Sequence, residues 1–484
     1  MSAPGNILSF LARKLTGALW LVPLGLLPTH LSATEIYSMR IYSATQAVAA
    51  AASGDFDPLH PGKEVACLMA NGDVTELALG TSGWTATTIF RNPHATPGFW
   101  QNPGNRTTLE IGDVLSGSAG DELVISIQQE FQKQVLVVYH APANGWTNQI
   151  VADFSGFIGV TWGARIGDCD PAHPGQEVFC IFEGLFDNSE GFVYRETSGA
   201  WEFNPVYAAE VGMDSAIGDI NPDTPGNEIL VVTEMGPAYE ITPPTGGGPG
   251  PWPRRTIWNN SENPAWVVKI GDVDPETPGN EIVYGTRISD QIMMSRHNGT
   301  NPHRVDILYT GVNTNSDLNN MLDVAIGQVF SASPAAEILG VDASGSVYLV
   351  QRVTNQWHGS VLWQDTNALH AVAAADLIPS IPGDEVVVAG ASGTVTLLCD
   401  PSSLLNLDWT AQRQAVLSWT ALKGLTYQVE TTTNLISTSG WRPLTNLIYE
   451  GIFSGTLWYT NTEAPPAHQR FFRVRTNRQT TNNK

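Results

Sequence analysis

The chain has 484 residues, of which 15% are charged and 42% hydrophobic, with 46 Gly, 31 Pro and 15 Trp. Its 24 Lys and Arg against 47 Asp and Glu give a formal net charge of −23. That balance excludes the basic footprint nucleic-acid phosphates demand and disfavours docking on an anionic membrane. So many turn formers beside so few charges point to many short strands, in a chain long enough for two or three domains.

Residues 1–33 have the pattern of an export signal. Arg13 and Lys14 form a basic start, 15–27 is an apolar run, and Leu31-Ser32-Ala33 ends in small residues. The run is too short for a membrane anchor and is interrupted by Pro23. The expectation is a secreted or cell-surface protein cleaved after Ala33, with no transmembrane segment in the mature chain. Four cysteines remain, Cys67, Cys169, Cys180 and Cys399. Cys169 and Cys180 are close enough in sequence to face each other across a hairpin, but buried thiols are the expected state of the set. No Cys or His spacing suits a structural zinc site.

From residue 54 onward one unit recurs seven times. Gly54-Asp55-Phe56-Asp57-Pro58 leads to Pro61-Gly62-Lys63-Glu64, and the first Asp position recurs at 113, 168, 219, 272, 328 and 376. Spacings of 48 to 58 residues mark a repeat architecture. Each unit reads as four strands: a small-residue strand entering the signature, an apolar strand after the Glu, a third strand, and a fourth beginning near a Trp such as Trp84, Trp146, Trp201 or Trp357. The Pro and Gly of the signature make its turn. Four strands in each of seven units predict a seven-bladed β-propeller over residues 34–400. The seventh unit lacks a fourth strand. Residues 35–42, ahead of the first unit, are expected to supply it and close the ring.

The signature resembles the FG-GAP/VCBS repeats of secreted bacterial and eukaryotic propellers, and is similar to the propeller repeats of rhamnogalacturonan lyases. The resemblance covers about three quarters of the chain and implies the architecture more strongly than any activity.

Residues 404–476 break the period. Strand-like runs at 415–419, 426–430, 457–459 and 470–475 predict a small β-sandwich. It resembles the fibronectin type III-like modules that end many secreted bacterial proteins, through its Leu-Ser-Trp and Arg-Phe-Phe-Arg-Val-Arg runs. Residues 477–484 form a polar tail, expected to be disordered. The fold class is thus all-β: a seven-bladed β-propeller followed by a small β-sandwich.

Three sets of residues are candidates for function. Four signature loops keep acids at the first and last positions and an acid or amide at the third: Asp55, Asp57 and Glu64; Asp168, Asp170 and Glu177; Asp219, Asn221 and Glu228; Asp272, Asp274 and Glu281. Several oxygens on one loop suit a structural Ca2+. The alternative is that Asp caps the turn while Glu accepts loop N–H bonds. The connections from each fourth strand to the next inner strand are rich in aromatics and amides, and Phe99, Trp100, Phe157, Trp258 and Asn259 suit the apolar face and hydroxyls of a sugar. Trp162 and Trp266, at equivalent positions, are expected to pack between blades. Lastly, Glu110, Arg165 and Lys269 replace the Ala found at the same inner-strand position of other blades, with Asp214, Asp323 and His370 nearby. A polysaccharide lyase needs a base and a cation beside its uronate, roles open to Lys269 or His370 and to Arg165. The alternative there is a ring of inter-blade ion pairs. No GxSxG, HExxH or phosphate-loop motif occurs, and no organic cofactor is expected.

The leading expectation is a non-catalytic binding protein for extracellular polysaccharide. A calcium-supported lyase and a platform for a cell-surface protein partner stand as alternatives.

Overall fold

The computed structural model describes residues 36–95, 108–129, 132–184, 188–246, 248, 250–297, 303–311, 321–331, 333–400, 406–410, 414–432, 441–451, 454–461 and 471–477. Residues 1–33, read above as an export signal, and residues 478–484 of the expected tail 477–484 lie outside them, while Asn477 ends a strand. Every regular element among the described residues is a strand, and none of these residues forms a helix long and apolar enough to cross a membrane.

One compact unit holds seven antiparallel sheets of four strands, the blades of a β-propeller. The inner strands are, from blade 1 to blade 7, Val48–Gly54, Leu109–Gly112, Val160–Gly167, Gly212–Gly218, Ala265–Gly271, Met321–Gly327 and Leu369–Ala375. Each packs against the next, and the last packs against the first. In blades 1 to 6 the four strands follow chain order outward. Blade 7 takes its outer strand from the start of the chain, where Tyr37–Ser43 pairs with Thr394–Cys399. The two ends of the propeller segment therefore close the ring with ordinary ladder hydrogen bonds.

The signature's glycines are explained by the crowding between blades. A Cβ placed on Gly54, Gly112, Gly167, Gly218 or Gly271 would lie 2.5–3.0 Å from Ile111, Ile166, Ile217, Ile270 or Ile326 of the following blade. Each isoleucine fills the space that the missing side chain leaves, so one residue type seats the next blade. Apolar second and third strands build the core between sheets, where Phe179, Ile181, Ile229, Val231, Tyr284 and Tyr348 are fully buried. Trp162 and Trp266 are buried as well, edge to face at 6.5 Å. All four cysteines are buried, and none of them forms a disulfide.

The second unit carries the C-terminal strands in two three-stranded antiparallel sheets. One runs in the order Asn406–Trp409, Ala415–Leu422, Ser454–Thr460, and the other Arg442–Ile448, Thr426–Thr432, Phe471–Asn477. Trp419 and Tyr427, both buried, pack with centroids 5.9 Å apart, and the Tyr427 hydroxyl accepts the Leu422 N–H at 2.7 Å.

The glycine seat gives a direct test. Gly167→Ala, whose Cβ would stand 2.5 Å from Ile217 Cγ2, is expected to destabilise the propeller by about 1–3 kcal/mol in urea unfolding. Combined with Ile217→Ala, the loss should be smaller than the two single losses added, by at least about 0.5 kcal/mol. Strict additivity would show that the two residues do not compete for one space.

Candidate functional site

The signature loops are shaped by their own carboxylates. In every blade the closing Glu turns one oxygen onto amides at the start of its loop. Glu122 accepts from Val114 and Leu115 at 2.8 and 3.0 Å, Glu177 from Cys169 and Asp170 at 2.8 and 3.1 Å, and Glu281 from Val273 and Asp274 at 3.0 and 2.8 Å. Glu64, Glu228, Glu337 and Glu385 do the same. The acid or amide at the third position makes an Asx turn: Asp57 accepts the Leu59 N–H, Asp170 that of Ala172, Asn221 that of Asp223 and Asp274 that of Glu276. Two of these acids are neutralised by protein cations. Asp170 pairs with Arg195 at 2.8 Å, and Asp274 with Arg296 at 2.6 Å and with Arg352. At those two loops an arginine thus balances the charge of the third-position acid. Asp55, Asp168, Asp219 and Asp272, at the first position, are exposed.

The charged inner-strand residues meet around a central cavity of about 330 Å3 whose lining includes Glu110, Arg165, Lys269, Asp323 and His370. Arg165 donates to Glu110 at 2.7 Å, to Asp214 at 2.5 Å and to the Ser215 carbonyl at 2.7 Å, while Lys269 donates to the same Glu110 oxygen at 2.8 Å. Burial opposes the Glu110 carboxylate, but the two cations outweigh it and hold its pKa below the usual range. Burial likewise opposes the Arg165 charge, and Asp214, Glu110 and Asp323 overturn it, raising its pKa. His370 hydrogen-bonds the Val48 carbonyl at 2.9 Å, and burial lowers its pKa despite that bond, so the ring is neutral at physiological pH.

These side chains also serve the backbone of the neighbouring blade. Thr108 Oγ1 accepts the Ala164 N–H at 2.7 Å, Asp214 that of Val268 at 2.9 Å, and Asp323 that of Val372 at 3.0 Å. Blades 2, 4 and 6 therefore each supply an oxygen, at one common position, to the blade that follows.

A second concave surface among the described residues is aromatic. A trough of about 780 Å3 runs between blades 2 and 3, lined by Phe154, Phe157, Phe182, Phe192, Tyr194 and Phe203. Asp153, Asn188 and Glu190 also line it. Phe154 stacks on Phe182 at 4.7 Å and 12°, Phe157 meets Phe182 edge-on at 6.0 Å, and Phe203 meets Phe192 at 5.9 Å. Phe157 and Phe203 are 61% and 63% exposed, with Ile158 beside them at 72%. The connection that carries Phe157 is held in shape by Lys133, whose carbonyl accepts the Phe154 N–H at 2.8 Å and whose Nζ donates to the Phe157 carbonyl at 3.2 Å. A Cβ on Gly159 would fall 1.9 Å from the Glu183 carbonyl oxygen, so only glycine lets that connection cross blade 3 so closely. Burial opposes the Asp153 carboxylate, but hydrogen bonds from Ser155 and Gln134 prevail and lower its pKa, keeping it ionised.

Of the sugar-face residues read from sequence, Phe157 lines this trough. Trp258 is half-buried against Tyr284 at 5.3 Å in blade 4, followed by exposed Asn259. Phe99 and Trp100 lie outside the described residues. The sequence reading passed over Phe154, Phe182, Phe192, Tyr194 and Phe203. Their one visible signal was Phe203, an aromatic on an outermost strand.

No family model matches the chain, and no curated protein matches its sequence. Among solved structures, BBS1N in complex with ARL6DN, soaked with lead, is similar over 76% of this chain and 98% of that chain, with 8% identity and a TM-score of 0.46. The propeller assignment above rests on the strand order and ring closure.

The loop carboxylates give a pH dependence. Burial raises Glu64, Glu177 and Glu281 to about 7 from 4.5, against the pull of their amide partners and helped by the neighbouring aspartates. A carboxyl whose folded pKa is raised binds its proton more tightly in the folded state. Its stabilising effect is therefore complete below about pH 4.5 and lost as the pH rises through about 7. The thermal midpoint should rise as the pH falls from 7.5 to 5. Glu281→Gln, neutral throughout, should flatten the pH slope of the unfolding free energy by at most about 1.4 kcal/mol per pH unit. Identical slopes in the two proteins would show that Glu281 is ionised across the range.

Proposed function

We propose that the chain is an exported, non-catalytic binding protein that takes an extracellular neutral polysaccharide along the aromatic trough between blades 2 and 3. The observation that carries this reading is the row of six aromatic rings with two of them more than 60% exposed. Rings in an open trough offer flat apolar faces to the C–H face of a pyranose, while Asp153, Asn188 and Glu190 provide hydrogen-bond partners for hydroxyls. Two carboxylates among those polar groups, on a chain of net charge −23, oppose a uronate polymer and favour an uncharged one. The signal-like residues 1–33 and the likeness of the repeats to secreted FG-GAP/VCBS propellers support the same extracellular setting.

The lyase reading has less support. Arg165, the candidate clamp, is already engaged by Glu110, Asp214 and a carbonyl, and Lys269 is held by Glu110. His370 lies on the cavity wall, where both cations among the described lining residues, Arg165 and Lys269, are already paired and not free to stabilise an enolate.

Affinity gel electrophoresis of the chain through neutral and acidic polysaccharides tests the proposal. Retardation by a neutral polymer is expected, reduced at least about fivefold in apparent affinity by Phe157→Ala or Phe203→Ala, since each removes about 1–3 kcal/mol of stacking. Retardation only by acidic polymers, or unchanged in both variants, overturns the trough as the glycan site. No retardation by any polymer turns the same exposed Phe and Ile surface into a candidate protein-docking face.

A further inference from the structure

We propose that Asp57, His60 and Glu76 of blade 1 form a binding site for one divalent transition-metal ion of the zinc class. The site shares no residue with the aromatic trough and does not depend on the function proposed for it. Asp57 and His60 stand on the first signature loop, and Glu76 on the third strand of the same blade, Val74–Gly80. One ligand atom from each lies within 4.8 Å of the others. His60 Nδ1 is 2.6 Å from Asp57 Oδ2 and 3.5 Å from Glu76 Oε1. Two ligands about 2.1 Å from a tetrahedral ion are about 3.4 Å apart, so small side-chain adjustments complete the set.

The other blades show what is unusual here. Where blade 3 has Asp170 at the Asp57 position, Arg195 neutralises it, and in blade 5 Arg296 and Arg352 do so for Asp274. Blade 4 carries the counterpart of Glu76 in register, since Glu240 pairs with Leu230 as Glu76 pairs with Ala66. There the loop residue is the amide Asn221, and Arg255 sits 2.6 Å from Glu240. Blade 1 keeps both acids. Among the described residues, the one group ion-paired with either is His60. Both carboxylates are nine-tenths or more buried, and Glu76 Oε1 accepts no hydrogen bond. The two buried carboxylates share one half-exposed imidazole, and a divalent ion would supply the charge that a single His60 cation leaves unbalanced.

The donor set selects the kind of ion. An imidazole nitrogen with two carboxylates suits Zn2+ and its neighbours, whereas Ca2+ and Mg2+ prefer oxygen throughout. The side chain of His60 is 49% exposed, which gives the ion a way in and leaves a fourth position to water. On binding, the ion takes the place of the proton between His60 Nδ1 and Asp57, which passes to solvent.

Calorimetric titration of the chelator-treated full chain with ZnCl2, and with CoCl2 read by visible absorption, tests the site. Expected are one Zn2+ per chain, a tetrahedral Co2+ spectrum, no comparable response to CaCl2, and affinity at least about tenfold weaker in both His60→Ala and Glu76→Gln. Absence of stoichiometric Zn2+ uptake by folded wild-type protein overturns the proposal. So does uptake that neither variant changes. If Glu76→Gln fails to fold, His60→Ala, altered at a half-exposed side chain, decides alone.

Discussion

Each blade of this propeller ends at the axis in an edge strand, and the structure is organised by the need to satisfy that edge. The inner strand pairs with one neighbour only, so its other row of N–H and C=O groups faces the centre of the ring with no ladder to join. The convergence of the seven inner strands suits the small side chains of Val48–Gly54 and Leu369–Ala375, and the space left at the axis admits Glu110, Arg165, Lys269 and His370. The strands are still too far splayed to pair with one another. Short polar side chains bridge the gap, with Thr108, Asp214 and Asp323 reaching the amides of blades 3, 5 and 7. Because seven is odd, this alternation cannot run round the whole ring, and the junction of blade 7 with blade 1 uses a different contact, from His370 to the Val48 carbonyl.

Once an acid such as Asp214 is placed there, buried, it needs a counter-charge. Arg165 supplies it and also takes the Ser215 carbonyl. Its second carboxylate partner, Glu110, is then shared with Lys269. The chain of charges Asp214, Arg165, Glu110 and Lys269 is thus a consequence of edge satisfaction propagated across four blades. A cavity lined with charges need not be a reaction site when each charge answers another.

The architecture was legible because the same local problem is solved seven times. A Gly that seats the next blade's Ile, a Glu that gathers loop amides and an Asx turn each leave one residue type at a fixed spacing, and repetition lifts that pattern above chance. Ring closure by Tyr37–Ser43 was legible for the same reason, since a blade short of one strand implies a donor. The charged inner-strand residues were also visible as departures from Ala. Their pairing was not, because Lys269 and Glu110 are separated by 159 residues and only the ring's curvature brings them together. The aromatic trough was the least legible. Phe182 and Phe192 alternate along their strands as core residues do, and their joint surface exists only because Gly159 lets the preceding connection lie against blade 3.

Repetition also explains where to look for function. Selection on the fold acts at every blade alike, so a residue that merely holds a blade together should have counterparts in the others. The buried Asp170 and Asp274 have such a shared solution, an arginine on the third strand at matching position, Arg195 following Tyr194, which pairs with Val178, and Arg296 following Ser295, which pairs with Ile282. Blade 1 has Ala78 at that register and keeps its acids uncompensated by arginine. The connection into blade 3 likewise carries Phe157 and Ile158 to the surface. Neither departure is demanded by ring closure, by blade seating or by loop capping. Apolar rings left in water and two buried carboxylates that share a single imidazole both cost stability, which is the physical reason to read these two places as sites rather than scaffold.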